Sequence, residues 1–257
     1  MAFIPKKRRA NRKRAPRKSG AVKQSFAKRV QAIVNKNTEN KAAFLSAFGS
    51  FNSGMATFPG DILQLIPNIT NGTTDFSRIG DQIRGQSLDV DGWVTMSLSY
   101  ISAASSARVG VRMMIVQPKM YGSLTEIQSN AGSWLGTLLK KGGTTTGFTG
   151  VVSDMFAPIN TDAITKHYDK VFYLNLPYVQ TAVGEVSTVK STKLFKIHKN
   201  LRNKLLKYDT SVNSGYTPTL YNPVLMIGYV HLDGSVPDVV NTQLYMNYSS
   251  SFTYQDA

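Results

Sequence analysis

Residues 87–101 read SLDVDGWVTMSLSYI. Leu88, Val90, Val94, Met96, Leu98 and Tyr100 fall on one side of an extended chain. Asp89, Asp91, Trp93, Thr95, Ser97 and Ser99 fall on the other. Successive side chains of a strand point to opposite faces, so this alternation predicts a strand half-buried against a core.

The same texture extends in both directions. ILQLIP (62–67) reads as a short strand before it. ARVGVRMMIVQ (107–117) reads as the next, with Val109, Val111, Met113 and Ile115 pointing one way and Arg108 and Arg112 the other. KHYDKVFYLNL (166–176) is a further strand. NPVLMIGYVHL (222–232) is apolar enough to be buried on both faces. QLYMNYSSSFTY (243–254) alternates again, with Leu244, Met246, Tyr248, Phe252 and Tyr254 on one side. TEIQSNAGSWLGTLLKKGG (125–143) has room for a short helix before a Gly/Thr-rich loop. STKLFKIHKNLRNKLLKYD (191–209) fits neither period cleanly and reads as two short strands or a helix. About eight strands with long polar connections and one or two inserted helices favour an antiparallel sandwich over a βαβ fold.

The charge is placed unevenly. The formal net charge is +15, and residues 1–36 carry thirteen basic residues and no acid. The rest of the chain is nearly neutral, at +2. PKKRRANRKRAPRK (5–18) alone holds nine Lys or Arg. Charges this dense repel and cannot bury a core, so residues 1–20 are expected to be a disordered basic arm with a polyanionic partner. Val22, Phe26, Val30, Ile33 and Val34 then recur at helical spacing, predicting an amphipathic helix over about 22–36 with Lys23, Lys28 and Arg29 on its polar face. SAFGSFNSGMATFPG (46–60) is rich in Gly and Ser and reads as a linker. The expected organisation is an arm over 1–20, helix and linker over 21–60, and a β domain over 61–257.

Sites for chemistry are sparse. Cysteine is absent, which excludes disulfides and thiolate chemistry. The N-terminus has no apolar h-region, and no run approaches the ~18–20 apolar residues of a spanning helix. The glycosylation-type triplets at Asn68, Asn71 and Asn247 therefore read as chance. His167, His198 and His231 lie far apart in the sequence, and neither HExxH nor GxSxG occurs. GGTTTGFTG (142–150) lacks the Gly-Lys-Ser/Thr ending of a P-loop and reads as a surface loop. Asp89 and Asp91 share a strand face, but two carboxylates are too few to hold a hard cation such as calcium. No catalytic residue, metal ligand or cofactor is expected. A second basic cluster (Lys190, Lys193, Lys196, Lys199, Arg202, Lys204 and Lys207) is interleaved with apolar residues. It reads equally as a solvated sheet face and as a set of phosphate contacts.

Several stretches together resemble the capsid proteins of small circular single-stranded DNA viruses that encode a replication initiator. These are similar in turn to satellite and tombus-like RNA virus shells. A basic arm leads into SFAKRVQAIVNKNTENKAA, with Glu39 and Lys41 in an E-x-K at its end. Arg78-Ile79-Gly80-Asp81, just before the strand near Leu88, resembles the junction of the first two jelly-roll strands. RVGVRMMIVQPK, HYDKVFYLN and the terminal SSSFTYQDA resemble later strands. The 118–165 insertion departs from the smallest members of that family.

The resemblance implies a single eight-stranded antiparallel jelly-roll sandwich with a disordered basic arm and a short N-terminal helix. It implies a shell of about 60 copies, a closed point-group assembly. It also implies localisation to the virion and, during infection, the host nucleus, with no membrane partner. Nucleic-acid binding is expected of Lys6, Lys7, Arg8, Arg9, Arg12, Lys13, Arg14, Arg17, Lys18, Lys23, Lys28 and Arg29. Residues 6–18 are expected to double as a nuclear localisation signal read by host import machinery. Arg108 and Arg112 are further candidates for a lumen face or an interface. Single-stranded DNA is favoured over RNA only through the resemblance. The alternative is a non-capsid nucleic-acid-binding β protein with a basic tail, which predicts a basic rather than a neutral body.

Overall fold

The computed structural model describes residues 39–51, 62–96, 108–175, 191–209, 216–235 and 244–256. The basic arm and the helix expected over 22–36 lie outside the described residues. The described residues form ten strands: β1 (Asn40–Phe51), β2 (Leu63–Gln64), β3 (Gln82–Met96), β4 (Arg108–Pro118), β5 (Leu139–Lys141), β6 (Thr144–Thr146), β7 (Ile164–Asn175), β8 (Thr192–Lys207), β9 (Val224–His231) and β10 (Leu244–Asp256). Two short helices, α1 (Leu124–Ser129) and α2 (Ala131–Leu135), lie between β4 and β5.

Eight strands form two antiparallel four-stranded sheets, ordered β1-β10-β3-β8 and β2-β9-β4-β7. β5 and β6 form a separate hairpin. With that hairpin set aside, the eight strands in chain order run 1-8-3-6 in one sheet and 2-7-4-5 in the other. The chain changes sheets at every step except between β4 and β7, which is the winding of a jelly roll. The opening stretch behaves as its alternation predicts. Leu88, Val90, Val94 and Met96 are buried in the core between the sheets, while Asp89, Asp91, Trp93 and Thr95 stand half-buried on the opposite face. Each such apolar side chain taken from water contributes about 1.5–3 kcal/mol.

A second core lies behind the β2-β9-β4-β7 sheet. The 118–164 insertion folds over that sheet and buries Ile127, Trp134, Leu135, Leu138 and Phe148 against Met114, Val116, Met226 and Val230. β9 is therefore buried at every position, as its apolar run predicts. Ser123 starts α1 with a reciprocal cap: its hydroxyl accepts from Glu126 N (3.2 Å), and the Glu126 carboxylate accepts from Ser123 N (3.1 Å). The Trp134 indole donates to Ile127 O at 2.8 Å. Gly142 and Gly143, at φ 56° and 93°, make the tight turn of the β5–β6 hairpin. GGTTTGFTG is thus only partly a surface loop, because Phe148 is fully buried.

Three further readings change. The first part of the linker, 46–51, belongs to β1, so the sandwich includes residues ahead of position 61. Its Ala, Ser and Gly residues have loop composition, but β10 offers a long edge and pairs with β1 over its whole length. The segment 191–209 is one strand rather than two strands or a helix. Its period breaks because Asn200 pairs with Ser87 and Lys204 with Gly85, leaving 201–203 opposite Gln86 alone. Arg202 and Asn203 take positive φ (54° and 59°) there, and the bulge shifts the inward positions from Ile197 and Leu201 to Leu206 and Tyr208. The third change concerns Arg112, described below.

Candidate nucleic-acid interface

The register of the β1-β10-β3-β8 sheet lines its outward side chains into rows. Phe48, Asn247, Trp93 and Leu194 form one row; Ser46, Ser249, Asp91 and Lys196 the next; Phe44, Ser251, Asp89 and His198 a third. Phe44, Phe48 and Leu194 are 68%, 61% and 75% exposed. The Phe48 ring stacks on Tyr245, with centroids 5.6 Å apart and planes 21° from parallel. An open cleft of about 530 Å³ runs between Ser46, Asp91, Trp93, Leu194, Asn247 and Ser249. The face thus presents rings and an exposed leucine around a floor of hydroxyls and one amide.

Asp89 and Asp91 do not gather as a metal site. The Asp89 carboxylate lies 2.6 Å from His198 Nδ1, and Asp91 lies 3.5 Å from Lys196 Nζ. Each is spent on the neighbouring strand. Among the described residues, no group of three or more His, Asp or Glu side chains is arranged to hold a metal ion. The sequence alone does not reveal these cross-strand pairs, because the partners are more than a hundred residues apart. Phe44 and Phe48, four apart, carried a usable signal, since equal parity puts them on one strand face.

β8 is the sheet's edge, and Lys193, Lys196, Arg202, Lys204 and Lys207 are exposed along it. Where the edges of β8 and β7 face each other, a small slot opens between Leu88, Ile115, His167, Ile197, Lys199 and Tyr221. Lys204 Nζ sits 3.9 Å from the Tyr221 ring centroid. Within the slot His167 Nε2 is buried without a hydrogen-bond partner. Burial, with the positive potential of Lys199 and Lys204 added, pushes its imidazole down to about 4.

Arg112 is not available to a lumen face or an interface between copies. It is 3% exposed, and its Nε and Nη2 donate to the two oxygens of Asp169 at 2.9 and 2.8 Å. Its Nη1 donates to Asp154 O and Ala157 O at 2.6 and 2.7 Å. Such a planar fork locks the insertion to β4 and β7. Arg108 is exposed and lies over the Tyr173 ring at 4.8 Å. Arg78 of the RIGD stretch is buried, 4.4 Å over the Tyr208 ring and 3.7 Å from Asp81, and shapes the turn into β3.

His231, Ser235 and Asp233 touch, but in an order unsuited to nucleophile activation. The Ser235 hydroxyl lies 2.8 Å from His231 Nδ1 and donates to Asp233 Oδ1 at 2.7 Å. A triad needs the imidazole in the middle. No helix among the described residues is long and apolar enough to cross a membrane. The expected arm residues, Lys6 to Lys18 with Lys23, Lys28 and Arg29, lie outside the described residues.

No protein-family model matches the chain, and no curated protein matches it. Among solved structures it is similar to the BFDV capsid protein of a 60-mer crystal structure, at 11% identity and a TM-score of 0.30, over 85% of this chain and 94% of that one. It is similar to the semi-empty VLP of the giant freshwater prawn Macrobrachium rosenbergii nodavirus, at 10% identity and a TM-score of 0.29, over 85% and 96%. Mud crab tombus-like virus is a third, at 13% identity and a TM-score of 0.29, over 89% and 98%. The fold assignment rests on the chain's own strand order.

Proposed function

We propose that this chain is a viral capsid subunit that self-assembles into a small closed shell and packages a single-stranded nucleic acid. The supporting observation is the joining of two unlike parts. A segment with a charge of +13 precedes a jelly-roll sandwich whose remaining sequence is close to neutral. Lys6, Lys7, Arg8, Arg9, Arg12, Lys13, Arg14, Arg17 and Lys18, with Lys23, Lys28 and Arg29, neutralise phosphates by counterion release, which needs no base reading. The nearly neutral sandwich packs against copies of itself, where a strong like charge would oppose assembly. About 60 copies close the smallest such shell. Residues 6–18 serve a second time as a nuclear import signal, and DNA is the packaged polymer. A structural role of this kind calls for no catalysis.

Particle formation and packaging test this reading together. Full-length protein should form uniform particles that protect nucleic acid from nuclease. Protein lacking residues 1–36 should remain folded but give particles with an absorbance ratio at 260 and 280 nm near that of protein alone. A full-length chain that stays monomeric with nucleic acid present is incompatible with the capsid reading. An unchanged absorbance ratio after the deletion removes the role of the arm.

A further inference from the structure

We infer that the outward face of the β1-β10-β3-β8 sheet is a stacking platform for the unpaired bases of the packaged strand. The inference rests on the packaging reading above and assigns the body of the subunit a part in it. Three observations carry it.

The first is the kind of side chain exposed. Phe44 and Phe48 are exposed on β1, Tyr245 of β10 stacks against Phe48, and Trp93 of β3 stands half-buried on the same face of the sheet. Every base has a π-face, so a platform of rings holds single strands without reading sequence. The second is the floor between the rings. The cleft of about 530 Å³ is lined by Trp93 and Leu194 together with Ser46, Ser249, Asn247 and Asp91. That volume lies in the range of small-ligand sites. Its hydroxyls and amide match the donors and acceptors of a base edge. A surface meant for a second copy of the chain would instead concentrate apolar side chains at its centre, where this one has serines and an asparagine.

The third observation is where the polycation is attached. β1 is an edge strand of this sheet and begins at Asn40, directly after the residues that carry the thirteen basic side chains. A nucleic-acid strand held by those cations is held by the same chain that carries the rings. Binding there becomes an intramolecular event at high effective concentration. The two contacts differ in physics. The arm contributes a salt-sensitive, sequence-blind term, and the rings contribute a term that releases no counterions.

The chain has two tryptophans, Trp93 and the buried Trp134. Trp93 therefore reports on the platform, and Trp134 serves as a constant background. Full-length protein is titrated with fluorescently labelled (dT)20, with an abasic strand of the same length, and with duplex DNA. All three should bind by anisotropy, but only (dT)20 should quench Trp93, by a sizeable fraction of its emission. Trp93→Ala should weaken (dT)20 binding by about ten-fold while leaving the salt slope unchanged. Photocrosslinking of unmodified protein to a bromodeoxyuridine strand keeps the test independent of any variant's folding, and adducts are expected at Phe44, Phe48, Trp93 or Tyr245. If (dT)20 binds, Trp93 emission stays constant and all adducts fall within residues 1–36, the platform is overturned and packaging by the arm stands. If Trp93 emission changes on assembly without nucleic acid and (dT)20 adds nothing, the face is a contact between copies and the inference fails. If no strand binds at all, the packaging reading itself fails.

Discussion

Lys41 Nζ lies 2.8 Å from the Asp256 carboxylate, and the lysine is 6% exposed. The pair joins the first residues of β1 to the last residues of β10. Lys41 also donates to Ser77 O at 3.0 Å, and Asp256 accepts from Ile79 N at 3.1 Å. One ion pair thus ties the edge strand, the C-terminal strand and the loop before β3 at the start of β1.

Lys41→Ala should destabilise the subunit by about 2–3 kcal/mol, since it leaves a partly buried carboxylate and a carbonyl without their cation. The loss should concentrate at β1. Limited proteolysis should cut near residues 39–51 in the variant well before the sandwich unfolds, whereas wild-type protein is protected there. Equal protection in both would show that β1 is held by its ladder with β10 alone.

Arg112→Met should cost about 3–5 kcal/mol in urea unfolding, because Asp169 and two carbonyls lose a common partner inside the second core. The double variant Arg112→Met/Asp169→Leu should recover part of that loss, since no uncompensated charge then remains. A double variant no better than the single one would mean that the carbonyls, not the carboxylate, dominate.

Gly92→Ala should cost about 1–3 kcal/mol. A Cβ at this position meets the Asn247 carbonyl oxygen and the edge of the Phe195 ring. β3 is paired on both sides, with β10 and β8, so it has little room to move away. Thermal denaturation checks it; a melting temperature within a degree of wild type would show that the strand shifts at no cost.

His167 should make the subunit acid-sensitive. Burial, with Lys199 and Lys204 nearby, holds its imidazole down to about 4 in the fold, below the usual 6.5 of an imidazole in the unfolded chain. The stabilisation is fully present above pH 6.5 and is lost as pH falls towards 4, because the unfolded chain takes up the proton first. With the ring only half-buried and solvent screening allowed for, the loss is about 1–2 kcal/mol rather than the full value of the shift. His167→Phe suits a slot lined by Leu88, Ile115, Ile197 and Tyr221 and has nothing to titrate. Urea midpoints at pH 7 and pH 4.5 should fall further for wild type than for this variant; parallel falls would place the imidazole in water.

The sequence by itself determined the β character of this protein and the separation of its charge. Alternation along 87–96 is a local property of an extended chain, so Leu88 and Val90 could be assigned to the core without knowing what covers them. Tertiary structure decided the rest, because pairing is non-local. Ala, Ser and Gly at 46–49 become a strand only because the β10 edge is there to pair with them. The bulge at 201–203 breaks the period of β8 because β3 sets its register on both sides. Arg112 reads in sequence as a candidate for a lumen face or an interface, and the insertion makes that side of the sheet a second core. Beyond the equal parity of Phe44 and Phe48, the ring-bearing face is not legible in one dimension for the same reason: its rows cross four strands drawn from residues 44–48, 89–95, 194–198 and 245–251, and only hydrogen-bonded register places them side by side.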